Sequence, residues 1–172
     1  MKKFIILIFF IFTQFNFVSA NTNILFVDLD KIMTMSKPGL SIIKKLKEKN
    51  DKILNNFQLE QKKIKDKETK LVKQKNILSD KEFKSNLNKL KLEIDIYNKN
   101  RKNIINDFNK LKLETRNKFM TMINLILMNY AEEKSILMIF EKKNMIIGKS
   151  ELDITDEIIK IVNNEIKEFK IE

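Results

Sequence analysis

The side chains best placed to do chemistry in this chain are lysines. Residues 61–91 carry eleven of them against Asp66, Glu68, Asp80 and Glu82, a local excess of +7. Lys62, Lys63, Lys65, Lys67, Lys70, Lys73, Lys75, Lys81 and Lys84 form the dense part of the cluster. Ammonium groups at this density attract anionic partners, whether acidic chains or the head groups of anionic lipids. The same spacing also describes a solvated helix face, and no single lysine stands out. Catalytic machinery is missing around them. The chain has no histidine, the usual general base near neutral pH and the commonest transition-metal ligand. It has no cysteine, hence no thiolate nucleophile, disulfide framework or cysteine-ligated metal. No Gly-rich loop cradles a phosphate, and no nucleophile elbow is present. The expected catalytic, cofactor-binding and metal-ligating residues are therefore none, and the chain does not read as an enzyme.

The formal net charge is +11, and it falls to +9 if Lys2 and Lys3 are removed. An excess of lysine with asparagine and isoleucine also suits an AT-rich coding sequence. Arginine is confined to Arg101 and Arg116. Arginine forks recognise phosphates and base edges best, so nucleic acid is not an expected partner.

The elements that carry the lysines follow from what the chain lacks. Its only glycines and proline are Pro38, Gly39 and Gly148, leaving 108 residues without a strong breaker of regular structure. A first long helix is predicted over residues 40–78. Ile43, Phe57, Ile64, Leu71 and Leu78 share a heptad position, with Asn50 the polar member. The companion position carries Leu46 and Ile53, then Glu60, Lys67 and Gln74, so the seam should loosen toward its far end. Ser79-Asp80-Lys81-Glu82 has capping-box spacing and marks the turn between two antiparallel helices. One continuous helix is the alternative. The second helix holds Phe83, Leu87, Leu90, Ile94, Tyr97, Ile104, Phe108, Leu111, Met122 and Leu125 in alternating steps of four and three. Arg101, Thr115, Lys118 and Asn129 interrupt it. From Phe119 the apolar stripe widens to most of the circumference, as expected of a helix entering a globular body. At 1.5 Å per residue the two helices would be roughly 58 Å and 80 Å long. Met120, Met122, Met128, Met138 and Met145 read as core of that body rather than as an adaptable binding surface.

The flanks supply strands. Ile24-Leu25-Phe26-Val27 is a short apolar run suited to a buried strand, and Ile32, Met33 and Met35 suggest a helical turn before Ser36-Lys37-Pro38-Gly39 punctuates the chain. Residues 135–140 and 145–147, joined by Lys142-Lys143-Asn144, read as a strand hairpin. Thr155 is the expected N-cap of a last amphipathic helix whose buried face is Ile158, Ile159, Val162, Ile166 and Phe169. Residues 1–20 read as an export signal: Lys2 and Lys3, an apolar run over residues 4–12, and Val18-Ser19-Ala20 as a cleavage site after Ala20. That apolar run is half the roughly 20 residues a spanning helix needs.

The order of these parts resembles the Skp/OmpH family of periplasmic chaperones. The resemblance rests on Ile24-Leu25-Phe26-Val27-Asp28, Ser36-Lys37-Pro38-Gly39, the helix start over residues 42–48, the Lys-rich hairpin, the strands between Ile136 and Ile147, and Asp153-Ile154-Thr155. It covers residues 21–172. It implies a mainly α fold with a small β body, from which a long antiparallel helical hairpin, a tentacle, projects. The implied divisions are a signal peptide (1–20), a β-containing association body (21–39 and 134–172) and a hairpin (40–133) whose root, about 119–133, enters the body. It further implies a homotrimer that works as an ATP-independent holdase, binding unfolded outer-membrane proteins without cofactors and preventing their aggregation. Anionic lipid or lipopolysaccharide surfaces are further possible partners of the basic tip. The competing reading is an exported coiled-coil structural or adaptor protein with one folded partner.

Overall fold

A computed structural model describes residues 24–171; the export signal expected for residues 1–20 lies outside them. Strand β1 (Ile24–Val27) leads into helix α1 (Leu29–Met35), which Asp28 caps by accepting the Lys31 N–H at 2.8 Å. Ser36 ends α1 and starts helix α2 (Lys37–Lys73). Its N–H donates to the Ile32 carbonyl, while its hydroxyl accepts the Gly39 N–H at 3.2 Å. Lys37-Pro38-Gly39 is thus the first turn of α2, three residues ahead of the expected start. Proline is tolerated there because first-turn amides have no intrahelical acceptor. Gly39 is needed for space, since a Cβ would lie 2.1 Å from the Met33 carbonyl oxygen. Only a glycine lets α1 fold back so closely on α2.

Helix α2 stops at Lys73, five residues short of the heptad expectation. Residues 74–78 form turns, and Ile77 is 80% exposed. Helix α3 (Asp80–Glu133) begins with the expected capping box: the Ser79 hydroxyl accepts the Glu82 N–H, and the Glu82 carboxylate accepts the Ser79 N–H at 3.1 Å. Leu78 and Phe83, both half-buried, occupy the two positions of a hydrophobic staple around that cap. By helix rise α2 is about 55 Å long and α3 about 80 Å, packed as an antiparallel arm.

After α3 the chain turns through Ser135 (φ 52°) into strand β2 (Met138–Glu141). β2 lies parallel to β1, with Ile24 opposite Met138 and Val27 opposite Glu141. The expected strand hairpin does not form. Residues 142–144 make a 3₁₀ turn and residues 145–147 are not a strand. Lys142-Lys143-Asn144 lacks the glycine that tight hairpin turns favour, and β2 instead pairs with the early strand. The other side of β1 is closed locally by a bridge from Phe26 to Asp153, with the Ile154 N–H donating to the Phe26 carbonyl at 3.0 Å.

Helix α4 (Thr155–Glu165) follows. Thr155 is its first residue and not its N-cap, which is Ile154. The Thr155 hydroxyl is engaged elsewhere: it accepts the Asp28 N–H at 2.9 Å and donates to the Asp153 carboxylate. The core gathers Val27, Ile32, Ile42, Phe119, Ile123, Ile126, Tyr130, Ile154, Ile158 and Val162, with Ile166 and Phe169 from the segment after α4. Both arm helices are therefore anchored in one small body through Ile42 and Phe119.

Candidate functional site

The arm is built from a narrow seam, and its burial is uneven. Among the described residues between Ile42 and Thr115, only Leu71 and Leu90 are buried, and both lie near the tip. The expected loosening toward the tip is therefore partial: Glu60 and Lys67 are exposed, but Leu71 and Leu90 are buried. Leu71 and Leu90 lie together beside a gap of about 280 Å³ near the tip, and mid-arm packing leaves further gaps. One, of about 420 Å³, is lined by Ile53, Ile104, Phe108 and Leu111 among others. Another, of about 280 Å³, lies beside Phe57, Ile64 and Tyr97. Tyr97 holds the helices together there. Its hydroxyl donates to the Phe57 carbonyl at 3.3 Å, and its ring meets that of Phe57 edge-on at 6.5 Å, with the Arg101 guanidinium 5.6 Å from the Phe57 ring.

Nearer the body the seam shifts. Thr115, Phe119, Ile123, Ile126 and Tyr130 are buried, so steps of four follow one another where the sequence suggested Lys118, Met122 and Leu125. Two consecutive fours unwind the heptad locally and swing α3 onto the core. Thr115, read as an interruption, is buried, while Leu125 is exposed. The core reading holds for some of the methionines and not for others. Met120 and Met122 are half-buried and pack against the core, Met145 is half-buried, and Met128 and Met138 are exposed.

The tip lysines lie where two helix ends converge. Lys62, Lys63, Lys65, Lys67, Lys70 and Lys73 line the last turns of α2, Lys75 sits in the turn, and Lys81 and Lys84 open α3. All nine are exposed. Lys63 pairs with Glu60 at 2.7 Å, and Lys67 reaches across to Glu93 on the opposite helix. Among these residues no group of carboxylates could hold a metal, and the same holds throughout the described chain.

A second set of residues escaped the heptad reading. Leu54, Leu59, Val72, Ile77, Leu92, Ile96 and Leu113 are exposed apolar side chains along the arm. All lie off the seam positions, and that mismatch is the sequence signal for them. Apolar and basic side chains are therefore both exposed along the arm.

The body carries its own open surface. A groove of about 360 Å³ between α3 and β2 is lined by Val27, Leu127, Met128, Ile136, Met138 and Phe140 among others. Leu137, which also lines it, is strongly exposed, as are Ile146 and Ile147 after β2. No other described strand pairs with the outer edge of β2.

The body is secured by polar clasps on its far side. Asp153 accepts the Thr155 hydroxyl and N–H and pairs with Lys142 at 3.3 Å. Burial alone would raise its pKa, but these partners outweigh it and hold the carboxyl below the ordinary range. Tyr130 donates to Glu157 at 2.8 Å; burial first, and then that carboxylate, push its hydroxyl up to about 12. Lys31 on α1 reaches Asp156 on α4 at 2.6 Å, which raises its pKa. The Ser79 contacts lower that of Glu82 at the tip.

A small mixed body with one long helical arm, apolar and basic along its length, defines a binding scaffold. The chain belongs to the OmpH-like outer membrane protein family, whose model matches residues 23–162. The fold is that of a candidate outer membrane chaperone (OmpH-like) from Caulobacter crescentus CB15, with a TM-score of 0.82 over 89% of this chain and 90% of that one, at 10% identity. No curated protein sequence matches this chain significantly.

Proposed function

We propose that the chain is an ATP-independent periplasmic holdase that binds unfolded outer-membrane proteins and prevents their aggregation. The observation that carries this reading is the arm: a long, thin hairpin that exposes both apolar and basic side chains. An unfolded barrel precursor exposes apolar segments over its whole length. Many weak contacts spread along an arm hold such a chain by avidity and release it without an energy source. The absence of a phosphate-cradling glycine motif in the sequence agrees with action without nucleotide.

Self-association into a homotrimer completes the proposal. A two-stranded sheet is marginal by itself, and parallel sheets are normally covered on both faces. The free edge of β2 and the exposed Met138, Phe140, Ile146 and Ile147 supply a surface for further copies. Three arms leaving one assembled base would enclose a client. Export, with cleavage after Ala20, would deliver the protein to the periplasm; among the described residues no helix is long and apolar enough to cross a membrane. The basic tips would draw in acidic clients and anionic lipid or lipopolysaccharide surfaces.

Capture from envelope extracts tests the reading. A set of unfolded barrel proteins on the tagged mature chain is expected, together with a solution mass three times that of one chain. A single dominant folded partner would favour the adaptor role instead.

A further inference from the structure

Residues 166–171 follow α4 as a strap and lie outside the residues 23–162 that the family model matches. Ile166 and Phe169 are buried and Ile171 packs on the same core, while Lys167, Glu168 and Lys170 are exposed. This non-helical segment is docked, and its docking point is the root of the arm. The Phe169 ring meets the fully buried Phe119 of α3 edge-on, at 5.9 Å with planes at 84°. The Lys118 ammonium lies 5.9 Å from the same ring. From α2, Lys45 Nζ donates to the Phe169 carbonyl at 3.2 Å. One residue of the strap therefore engages both arm helices at the level where they leave the body.

We propose that this strap is a brace that sets the take-off angle of the arm. The body holds α2 through Ile42 and α3 through Phe119, Ile123, Ile126 and Tyr130, and beyond that level the two helices meet only through a narrow seam, which leaves the arm able to bend where it emerges. The strap adds a tie from α4 to each helix. Leverage makes that tie matter: α2 runs about 42 Å from Lys45 to Lys73, so one degree at the root moves the tip about 0.7 Å. The brace goes beyond the chaperone reading, because it acts within one chain and needs no client.

The chain has no cysteine, so Asn76→Cys in the turn and Lys160→Cys on α4 take spin labels at those positions alone. Pulsed electron–electron distance measurements on labelled subunits, diluted with unlabelled chain, read the tip-to-body distribution. Phe169→Ala is expected to broaden that distribution by several ångströms while helical circular dichroism is unchanged. A second variant, Phe169→Leu with Lys45→Met, keeps the apolar cover over Phe119 and removes the ring edge and the carbonyl tie; it is expected to broaden the distribution as well. Distributions that coincide with the parent overturn the brace. If Phe169→Ala loses helix content, the double variant decides alone, broadening supporting the brace and coincidence overturning it. Neither result bears on client binding, and a failed client assay leaves the distances standing.

Discussion

Asp153 ties three parts of the body together, because the hydroxyl it accepts from Thr155 in turn receives the Asp28 N–H at the end of β1. A carboxyl with a lowered folded pKa contributes stability above its unfolded value, near 4, and loses it as pH falls through the lower folded value. Asp153→Asn is therefore expected to cost about 1 kcal/mol or more at neutral pH and to flatten the acid limb of stability, read as urea midpoints across pH. Tyr130 works at the other end of the scale. Its raised pKa means that the folded state keeps a proton the unfolded chain releases above about 10, so stability falls as pH rises toward about 12. Tyr130→Phe removes that alkaline slope and loses the Glu157 bond, an expected cost of about 1 kcal/mol at neutral pH. A variant with the parent's alkaline slope would contradict this assignment.

At the scale of elements, the tip depends on its cap. Ser79→Ala is expected to cost about 1 kcal/mol and to act locally, speeding amide exchange around residues 74–83 while the body's protection is unchanged. Ser79 also marks what the sequence made legible. The turn, the capping box, both long helices and the early strand follow from local signals: missing breakers, heptads, cap chemistry and a short apolar run. The misread parts depend on distant neighbours. Lys37-Pro38-Gly39 looks like punctuation until α1 is seen packed against Gly39, where a Cβ would strike the Met33 carbonyl. Thr155 has cap chemistry, but its hydroxyl is claimed by Asp28 and Asp153. The shift of the seam at Thr115 and Phe119 arises because the body, absent from any heptad pattern, replaces α2 as the partner of α3. The tip lysines were legible as a cluster, whereas the outward leucines and isoleucines show in the sequence only as apolar residues off the heptad seam.

For the whole molecule, apolar groups are left outside on a scale that folding alone does not explain. The core is confined to the body, while the arm buries little and carries exposed Leu59, Val72, Leu92, Ile96 and Leu113 among its lysines. A solitary chain gains nothing from that surface, but a holdase needs it. Light scattering during dilution of a urea-unfolded outer-membrane barrel precursor, without nucleotide, tests this most directly. The account predicts that the mature chain in several-fold excess suppresses the rise in scattering. A rise that matches the precursor alone at that excess would contradict it.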